Sequence, residues 1–468
     1  MSNHPPHKNY CQYYVGFDAE IPLLDGGKRR YINFDNAAST PSLQSVQKAV
    51  NDFLVYYSSV HRGTGFKSQL STRVYEQARE IVLDFVGADT QEHTCIFGKN
   101  ATEAINKLAQ RFPFTNQRDI VLTSSMEHHS NDLPWRAATE TIHVAVTPNG
   151  QLDEADFDTK LEQYANRVAL VAITGASNVT GFINPVHKLA QKTHAAGAQI
   201  AVDCAQFAPH RKIDMRPLSD PSHLDYVSIS AHKMYAPFGT GALIGRQDTF
   251  ECGRPNLVGG GTVKLVTTDD VTWADVPERD EAGSPNVVGA VALAAAIRQL
   301  EDFGMDAIAR HEAELTNHIL QRLLEMPDID IYGDSDSARA SERLGVVPIN
   351  MKGKHHFLVA AILGYEFGIG VRNGCFCAHP YILDLLDLTP HEAEIARERV
   401  RADDRSDIPG LVRISFGLYN TISEVDVLIA ALEKIARGDY VGDYRQNIAT
   451  GEFHPRGWKP NFGQYFKL

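Results

Sequence analysis

Ser228-Ile229-Ser230-Ala231-His232-Lys233 ends a short apolar run and is followed by Tyr235, Pro237 and Gly239-Thr240-Gly241. The run predicts a buried strand, so Lys233 is expected just beyond the strand's carboxyl end. A lysine in such a place can be desolvated, which lowers its pKa and frees the amine to form a Schiff base. Ser230 and His232 beside it can hold a phosphate. Taken alone, a lysine after a strand is far more often a surface residue, so the prediction depends on partners elsewhere in the chain.

The sequence around this segment alternates between apolar runs and helix-like stretches from residue 119 to residue 246. Buried strands are predicted at 120–122, 142–146, 169–173, 200–202, 226–229 and 242–244. This alternation predicts an α/β fold with a large, doubly wound, mainly parallel sheet and helices on both faces. Such sheets bind ligands beyond the carboxyl ends of their strands. The chemistry is therefore expected directly after these runs.

The pattern changes after about residue 289. An amphipathic helical stretch over 291–325 is interrupted at Gly304, and strand-like runs at 329–332, 346–349, 368–372 and 412–415 precede a helix over 423–435. We predict four segments: an N-terminal extension (1–30), a large domain (31–288), a smaller α+β domain (289–440) to which an N-terminal segment contributes, and a C-terminal tail (441–468). The aromatic, basic end of the tail is expected to pack on the body as a strap. The charged stretch 388–409 predicts a solvated helix plus loop, with a lid or partner-docking role as the alternative.

Composition excludes several classes of function. The 468 residues carry a formal net charge of −13 at pH 7. A field of that sign repels nucleic-acid phosphates and anionic lipid, so neither is expected as a partner. The most apolar run, 287–297, is shorter than the roughly 20 residues that span a bilayer. Residues 1–14 lack the pattern of a secretory signal.

Cysteine usage favours a cytoplasmic protein. The six cysteines are too sparse for a disulfide scaffold. Only Cys375 and Cys377 cluster, and their spacing lacks a second cysteine or histidine pair at ligand spacing. No metal site is therefore predicted.

Three further segments end predicted strands with residues suited to a flat, anionic cofactor such as pyridoxal 5'-phosphate (PLP). Asp203 can pair with the pyridine nitrogen that PLP needs protonated, and Gln206 can bond its phenolic oxygen. His128 can stack on a flat ring. The helix start near Asn100 and Thr102 offers free amides and a helix dipole to a phosphate. Each segment has a commoner structural explanation: an aspartate cap, a polar loop of bonded histidines, or an ordinary helix start.

The joint order of these motifs resembles the class V aminotransferase family, and within it the Suf-type cysteine desulfurases and selenocysteine lyases. The resemblance covers the chain from about residue 31 to about residue 435. The blocks that carry it are Asn33-Phe34-Asp35-Asn36-Ala37-Ala38-Ser39, Val60-His61-Arg62-Gly63, Glu127-His128-His129, Ser177-Asn178-Val179-Thr180-Gly181, Asp203-Cys204-Ala205-Gln206, Ser230-Ala231-His232-Lys233, Gly259-Gly260-Gly261, Glu281-Ala282-Gly283-Ser284-Pro285-Asn286 and Arg413.

The resemblance implies PLP fold type I, the aspartate-aminotransferase-like fold, with PLP bound by the large domain. It implies that Lys233 is the Schiff-base lysine and proton shuttle. The other cofactor contacts that it implies are His128, Asp203, Gln206, Thr102, Ala101, Ser230, His232 and, from the neighbouring subunit, Ser284. Shared contacts of that kind imply a homodimer with shared active sites. The implied substrate contacts are Arg413 on the carboxylate, Asn178, Arg372 and His61.

The segment Val371-Arg372-Asn373-Gly374-Cys375-Phe376-Cys377-Ala378-His379-Pro380 bears on the reaction. In Suf-type desulfurases the pattern R-x-G-x-x-C-A holds the nucleophilic cysteine, and Cys377 takes that position. A thiol with a pKa of about 8.5 is mostly protonated at neutral pH, so Arg372, Lys233 or His379 is expected to favour the thiolate. The resemblance implies conversion of L-cysteine to L-alanine, a persulfide on Cys377, and a sulfur-acceptor protein as a further partner. A buried structural thiol is the alternative for Cys377.

The segment also departs from the family pattern. Phe376 precedes the cysteine where the family usually has histidine or another residue, and Cys375 is an addition. The Gly374-Cys375-Phe376-Cys377 segment is similar to one in the molybdenum-cofactor sulfurases, which share the fold. Two other functions therefore stay open: another class V reaction on an amino acid (C–S or selenocysteine lyase, epimerase, aminotransferase) and a non-catalytic sulfur-carrier scaffold.

Overall fold

The computed structural model describes residues 10–468. Residues 1–9 lie outside the described part. Two predictions fall partly on them: that residues 1–14 lack a signal pattern, and that residues 1–30 form an N-terminal extension. The strands of residues 10–468 are β1 (Glu20–Pro22), β2 (Lys28–Arg30), β3 (Ile32–Asn33), β4 (His93–Gly98), β5 (Ile120–Ser124), β6 (Glu140–Val144), β7 (Val168–Thr174), β8 (Gln199–Asp203), β9 (Tyr226–Ser230), β10 (Gly241–Arg246), β11 (Val263–Val266), β12 (Val271–Trp273), β13 (Ile329–Ile331), β14 (Val346–Met351), β15 (Ile369–Gly370), β16 (Arg372–Gly374), β17 (Leu411–Ser415), β18 (Tyr444–Gln446) and β19 (Phe453–Pro455).

The α-helices of the same residues are α1 (Gln44–Leu54), α2 (Phe66–Phe85), α3 (Ala101–Arg111), α4 (Leu133–Ala138), α5 (Glu154–Gln163), α6 (Val186–Ala195), α7 (Gln247–Glu251), α8 (Val287–Phe303), α9 (Met305–Leu324), α10 (His356–Phe367), α11 (His379–Leu385), α12 (Pro390–Arg401) and α13 (Ile422–Arg437). Short 3-10 helices lie at Cys11–Tyr13, His129–Asn131, Ala231–Lys233, Glu278–Asp280, Ser337–Glu342 and Phe462–Gln464.

A seven-stranded sheet forms the centre of the large unit, in the order β4-β10-β9-β8-β7-β5-β6. Strands β6, β5, β7, β8 and β9 run parallel, and β10 is antiparallel to both of its neighbours. Every residue of β5, β7 and β9 is buried, as expected of strands covered on both faces. The predicted α/β fold with a mainly parallel sheet is confirmed.

One predicted strand lies two residues from its observed position. The sequence placed it at 142–146, whereas β6 covers Glu140–Val144. Its register against β5 pairs Ile120 with Glu140, so the pairing begins before the apolar run does. Val146 instead forms an isolated bridge with Leu152 in the following turn.

The smaller unit contains an antiparallel sheet in the order β13-β14-β17-β16. The single strand predicted at 368–372 is wrong, because the chain divides its pairing at Val371: β15 pairs with β3 near the N-terminus, and β16 pairs with β17. Ile32 and Phe34 are buried in the core of this unit. An N-terminal segment therefore adds a strand and buried side chains to the smaller unit.

Gly304 divides the predicted long helix into α8 and α9. Its φ of +85° lies in the region that glycine adopts without strain, so the chain turns there. Apolar residues of α8 belong to the core beneath the large sheet, whereas Leu315 to Leu323 of α9 belong to the core of the smaller unit. The two helices join the two cores, and the domain limits at 288 and 289 stay a prediction.

The charged stretch 388–409 forms α12 and a loop, and none of the α12 residues is buried. The tail forms the hairpin β18–β19, and the ring of Trp458 contacts Tyr365 edge-on. Beyond Trp458, the side chains of Phe462, Phe466 and Leu468 are exposed. The predicted strap is thus limited to the first part of the tail. Within residues 10–468, no helix has the length and apolarity required to cross a membrane.

Candidate active site

A cavity of about 190 Å³ opens at the carboxyl ends of the parallel strands, the edge where ligands of such sheets bind. Strands β7, β8 and β9 and the start of α3 supply one side, and strands β16 and β17 of the smaller sheet supply the other. Of the predicted site residues, those that line it are Lys233, Asp203, Gln206, His128, Thr102, Ala101, Ser230, His232, Arg413, Asn178, Arg372 and Cys377.

Lys233 ends the 3-10 helix Ala231–Lys233 that directly follows β9. Burial lowers the pKa of Lys233 to about 8, although the Asp203 carboxylate opposes the shift. Asp203 is the last residue of the neighbouring strand β8, and burial raises its pKa. The backbone N–H of Ala205 donates to Asp203 Oδ1 at 2.9 Å and holds the carboxylate in place. The amine and the carboxylate therefore enter one cavity from adjacent strands.

Thr40 fixes the backbone of the lysine segment, a role that the sequence did not indicate. Its hydroxyl donates to the carbonyl of His232 at 2.9 Å and accepts from the N–H of Tyr235 at 2.8 Å. Tyr235 has a φ of +62°, which is strained for a bulky residue. The side chain of one distant threonine thus stabilises the turn that carries Lys233.

The start of α3 forms an anion-binding corner of the cavity. Asn100 caps the helix by accepting from the N–H of Glu103, and Ala101 N–H donates to Ser230 Oγ at 2.8 Å. The hydroxyls of Thr102 and Ser130 lie 2.7 Å apart. Hydroxyl groups at a helix N-terminus suit a phosphate. Ser130 is an addition to the predicted set, and its signal is the position two residues after His128.

His128 forms a wall of the cavity as a neutral ring. Burial and the charge of Lys233 lower the pKa of His128 to about 3. Its Nδ1 accepts from the backbone N–H of Ser130 at 3.1 Å, which fixes the ring orientation. An uncharged, oriented imidazole is suited to stacking on a flat cofactor.

Glu127 holds this wall to the sheet. Ser124 Oγ, Asn131 Nδ2 and the backbone N–H of Thr174 donate to its carboxyl group at 2.6, 2.7 and 3.0 Å. Burial raises the pKa of Glu127 to about 8 against the effect of these bonds. The sequence showed Glu127 only as part of a motif, because its partners lie up to 47 residues away.

Arg413 projects from β17 into the opposite side of the cavity and is 3% exposed. It donates to the backbone carbonyl of Asn178 and to Asp35 Oδ1, each at 3.0 Å. Its guanidinium also lies over the ring of Phe376, 4.8 Å from the centroid. These three contacts hold the Arg413 guanidinium in one orientation, which favours binding of a carboxylate ligand.

Cys377 is exposed and lies on a tightly held loop. Phe376 and Cys377 both have positive φ, 50° and 56°, a conformation that concentrates at functional sites. Asn178 Nδ2 donates to the carbonyl of Phe376 at 2.8 Å, and the N–H of His129 donates to the carbonyl of Cys377 at 2.8 Å. The side-chain amide of Asn178 thus supports the cysteine loop as well as bordering the cavity.

Cys375 and His379, two residues before and after Cys377, are held by contacts within the protein. The thiol of Cys375 donates to the carbonyl of Pro409 at 3.1 Å, and burial raises the pKa of Cys375 to about 12. His379 stacks on His129 with ring centroids 4.9 Å apart, and burial lowers the pKa of His379. His379 is therefore neutral near pH 7 and supplies no charge to a thiolate.

His61 and Ser284 do not line this cavity. His61 Nδ1 lies 3.5 Å from a carboxylate oxygen of Glu278, and Ser284 is exposed on the segment before α8. The cavity of a single chain therefore forms without them.

Comparison with known proteins places this geometry in a family. Residues 32–428 match the family model described as aminotransferase class-V. A probable cysteine desulfurase from Halobacterium salinarum is 33% identical over 427 residues, which cover 89% of this chain and 95% of the relative. A cysteine desulfurase from Dickeya dadantii is 33% identical over 432 residues, which cover 90% and 96%.

Solved structures of cysteine desulfurases have a similar fold. The apo cysteine desulfurase of Thermococcus onnurineus NA1 has a TM-score of 0.75 at 33% identity, covering 87% of this chain and 95% of that one. The S-sulfonic acid form of the cysteine desulfurase CsdA from Escherichia coli has a TM-score of 0.74 at 27% identity, covering 92% and 99%. The predicted PLP fold type I is confirmed, and this chain belongs to the class V aminotransferase family.

Proposed function

We propose that this protein is a PLP-dependent cysteine desulfurase that converts L-cysteine to L-alanine and leaves the sulfur as a persulfide on Cys377. The observation that carries the proposal is the presence of an exposed cysteine, a desolvated lysine and a fixed arginine around one cavity. The relatives named cysteine desulfurase support the same substrate.

The donor set of the cavity fits PLP. Lys233 offers an amine with a lowered pKa, Asp203 offers a carboxylate to the ring nitrogen, and His128 offers a neutral stacking face. The hydroxyls of Thr102 and Ser230 and the N-terminus of α3 fit the phosphate, with His232 beside them. Gln206 lies in the same wall, where its side chain donates to the carbonyl of Ala37 at 2.6 Å. When bound, PLP serves as an electron sink for the bond broken at Cα.

Lys233 is the group that moves the proton at the substrate Cα. Because burial lowers its pKa to about 8, a useful fraction of the amine is uncharged near neutral pH. A general base is most effective when its pKa lies near the working pH, and positioned proton transfer contributes roughly 10²–10⁴-fold to rate. Arg413 meanwhile binds the substrate carboxylate and fixes which face of Cα meets Lys233.

Cys377 receives the sulfur. Its thiolate attacks the substrate sulfur, the carbon–sulfur bond breaks, and the electron pair of that bond passes to the substrate carbon. That carbon takes up a proton and leaves as alanine, while Cys377 keeps the transferred sulfur as a persulfide. Lys233 and Arg413 are the positive charges that interact with the Cys377 sulfur across the cavity.

The test measures alanine and sulfide released from L-cysteine in the presence of dithiothreitol. Cys377→Ala should abolish turnover and keep the yellow absorbance of bound cofactor. Cys375→Ala is the matched control, because its half-buried thiol donates to the carbonyl of Pro409, and it should keep most of the activity. Full turnover by Cys377→Ala would end the persulfide proposal.

We also propose a homodimer in which Ser284 contacts the cofactor phosphate of the partner chain. Ser284 is exposed and absent from the cavity of its own chain, and exposed apolar side chains lie nearby in sequence at Leu257, Val258, Leu265 and Val266. Light scattering should give the mass of two chains; a monomer that holds cofactor and is active would contradict the shared site. A sulfur-acceptor protein, a substrate contact by His61 and a cytoplasmic location stay predictions of the sequence.

A further inference from the structure

A protein carboxylate lies between the two arginines of the candidate substrate site. Asp35 Oδ1 is 3.0 Å from Arg413 Nη2, and Asp35 Oδ2 is 3.7 Å from Arg372 Nη1. Arg413 and Arg372 line the cavity, whereas Asp35 does not, so the Asp35 carboxylate lies behind the two arginines that face a substrate. The mechanism described above gives this residue no role.

The backbone holds Asp35 firmly in this position. It forms a parallel bridge with Ser415 on β17, and its N–H donates to Asn33 Oδ1 at 3.0 Å. Arg372 and Arg413 are direct partners in the pairing of β16 with β17, so their side chains start from adjacent points. The three charged groups form a triad, here called the Asp35 triad, in which the backbone and Arg413 hold Asp35 and the exposed Arg372 pairs with it from outside.

The triad carries a net charge of +1, because two arginines face one aspartate. Arg413 is 3% exposed and Arg372 is 56% exposed, so Arg413 is the inner arginine and Arg372 the outer one. His128 and His232 also line the cavity, but burial lowers the pKa values of both rings, which are neutral near pH 7. One uncompensated positive charge at the triad matches one carboxylate of a ligand.

We propose that Asp35 is a specificity-determining residue that restricts the site to amino acids with a single carboxylate. The inference rests on the proposed function, since it takes Arg413 as the ligand of the substrate carboxylate. A second carboxylate on the substrate is repelled by the negative charge of Asp35 behind the arginines, and the outer arginine is already paired with Asp35. Discrimination of this kind comes from a repulsive element added to an attractive one.

The test compares binding of L-alanine and L-aspartate to the cofactor-loaded protein by isothermal titration calorimetry, with the shift in cofactor absorbance as a second readout. Asp35→Asn keeps a side chain that can bond Arg413 and removes the charge. We expect its ratio of the L-aspartate Kd to the L-alanine Kd to fall at least about tenfold. Asp248→Asn, which removes a surface charge paired with Arg246, is the control and should leave the ratio unchanged.

Arg372→Ala tests the same triad if Asp35→Asn does not fold. It removes the outer charge on an exposed side chain and should raise the ratio by weakening L-aspartate binding more than L-alanine binding. An unchanged ratio in either variant overturns the inference. Neither ligand contains sulfur, so these results do not depend on desulfuration. Desulfuration of L-cysteine with an unchanged ratio would remove the inference alone, whereas the expected ratio without any desulfuration would remove only the proposed reaction.

Discussion

At the scale of single residues, the candidate site combines side chains at strand ends with supporting side chains from distant parts of the chain. Lys233 and Asp203 could be predicted because each ends an apolar run, and parallel strands present their carboxyl ends at one edge. Thr40 and Asp35 could not, because each acts on groups far away in the chain: Thr40 on the segment 232–235 and Asp35 on Arg413. A local pattern carries no information about such contacts.

The lowered pKa of Lys233 predicts unusual reactivity of its amine in the cofactor-free protein. Labelling with trinitrobenzenesulfonate as a function of pH, followed by peptide mapping, should show half-maximal reaction of Lys233 near pH 8. Nα-acetyl-lysine amide in the same reaction is the control, with an expected midpoint near the usual lysine value of about 10.4. Equal midpoints for Lys233 and this control would contradict a desolvated amine.

At the scale of secondary structure, strands with buried runs were predictable and short pairings were not. Strand β7 and strand β9 lie within two residues of their predicted bounds because continuous apolar runs mark them. Strands β3 and β15 contain two residues each, which is too few for any periodicity. Their pairing closes the smaller unit across more than 300 residues of sequence, so only the folded chain reveals it.

Glu127 connects β5, β7 and the histidine wall, and its replacement should loosen all three. In Glu127→Gln an amide group replaces one carboxylate oxygen and meets either Asn131 Nδ2 or the donors Ser124 and Thr174. Leaving a buried donor without an acceptor costs about 1–3 kcal/mol. We expect a fall of that size in the free energy of unfolding by urea at pH 9, above the raised pKa of Glu127, where the carboxyl group is ionised and both oxygens accept. Glu154→Gln, on an exposed surface pair, should change it by less than about 1 kcal/mol.

A second buried network joins the end of α6 to the starts of β8 and β9 at the edge of the sheet away from the cavity. His194 Nε2 and His223 Nε2 lie 2.9 and 3.2 Å from the two oxygens of Asp225. Each Nδ1 faces a backbone carbonyl, at 2.8 and 2.7 Å. Since carbonyls only accept, each Nδ1 must donate, and Nε2 can donate to Asp225 only when its ring is protonated. Two histidines and an aspartate this close could in principle hold a metal ion. The two imidazole rings, however, lie nearly parallel with centroids 4.0 Å apart, so a metal ion midway between them would lie far out of both ring planes.

This network predicts pH-dependent stability. Burial opposes a charge on His223, but its bonds to Asp225 and the Asp220 carbonyl raise the pKa of His223 above its usual value. The contribution of His223 to the free energy of unfolding is therefore lost as pH rises through the raised pKa. Burial likewise opposes the charge on Asp225, but the bonds from His194 and His223 hold the pKa of Asp225 far below its usual value. That contribution is lost only in strong acid. Arg246 Nη1, 3.4 Å from Asp225, the buried His93 and the buried Tyr226 are further charged or titratable groups near the network.

Asp225→Asn should therefore destabilise the protein by about 3 kcal/mol at pH 5–6, the loss expected for a broken buried pair, and by less at pH 9. Urea unfolding at both pH values measures the difference. Asp248→Asn, on the surface beside Arg246, should cost under about 1 kcal/mol at either pH. An equal loss for Asp225→Asn at both pH values would contradict a protonated His223 in the folded state.

At the scale of the whole molecule, the candidate site joins two units with different tasks. The large sheet supplies Lys233, Asp203 and His128, which suit the cofactor, and the smaller unit supplies Arg413 and Cys377, which suit the substrate. Helices α8 and α9 and strand β3 connect the two units. The shape of the cavity therefore depends on the relative position of both cores. The order of motifs along the chain carries no information about that position.

The central claim is a covalent bond between the Lys233 amine and the aldehyde of PLP, and reduction tests it most directly. Treatment of the PLP-loaded protein with borohydride, followed by protease digestion and mass spectrometry, should find the phosphopyridoxyl mass on the peptide that contains Lys233. A Lys233→Ala variant treated in parallel should carry no such label. A label on another lysine, or a colourless protein with no label after incubation with PLP, would contradict the account.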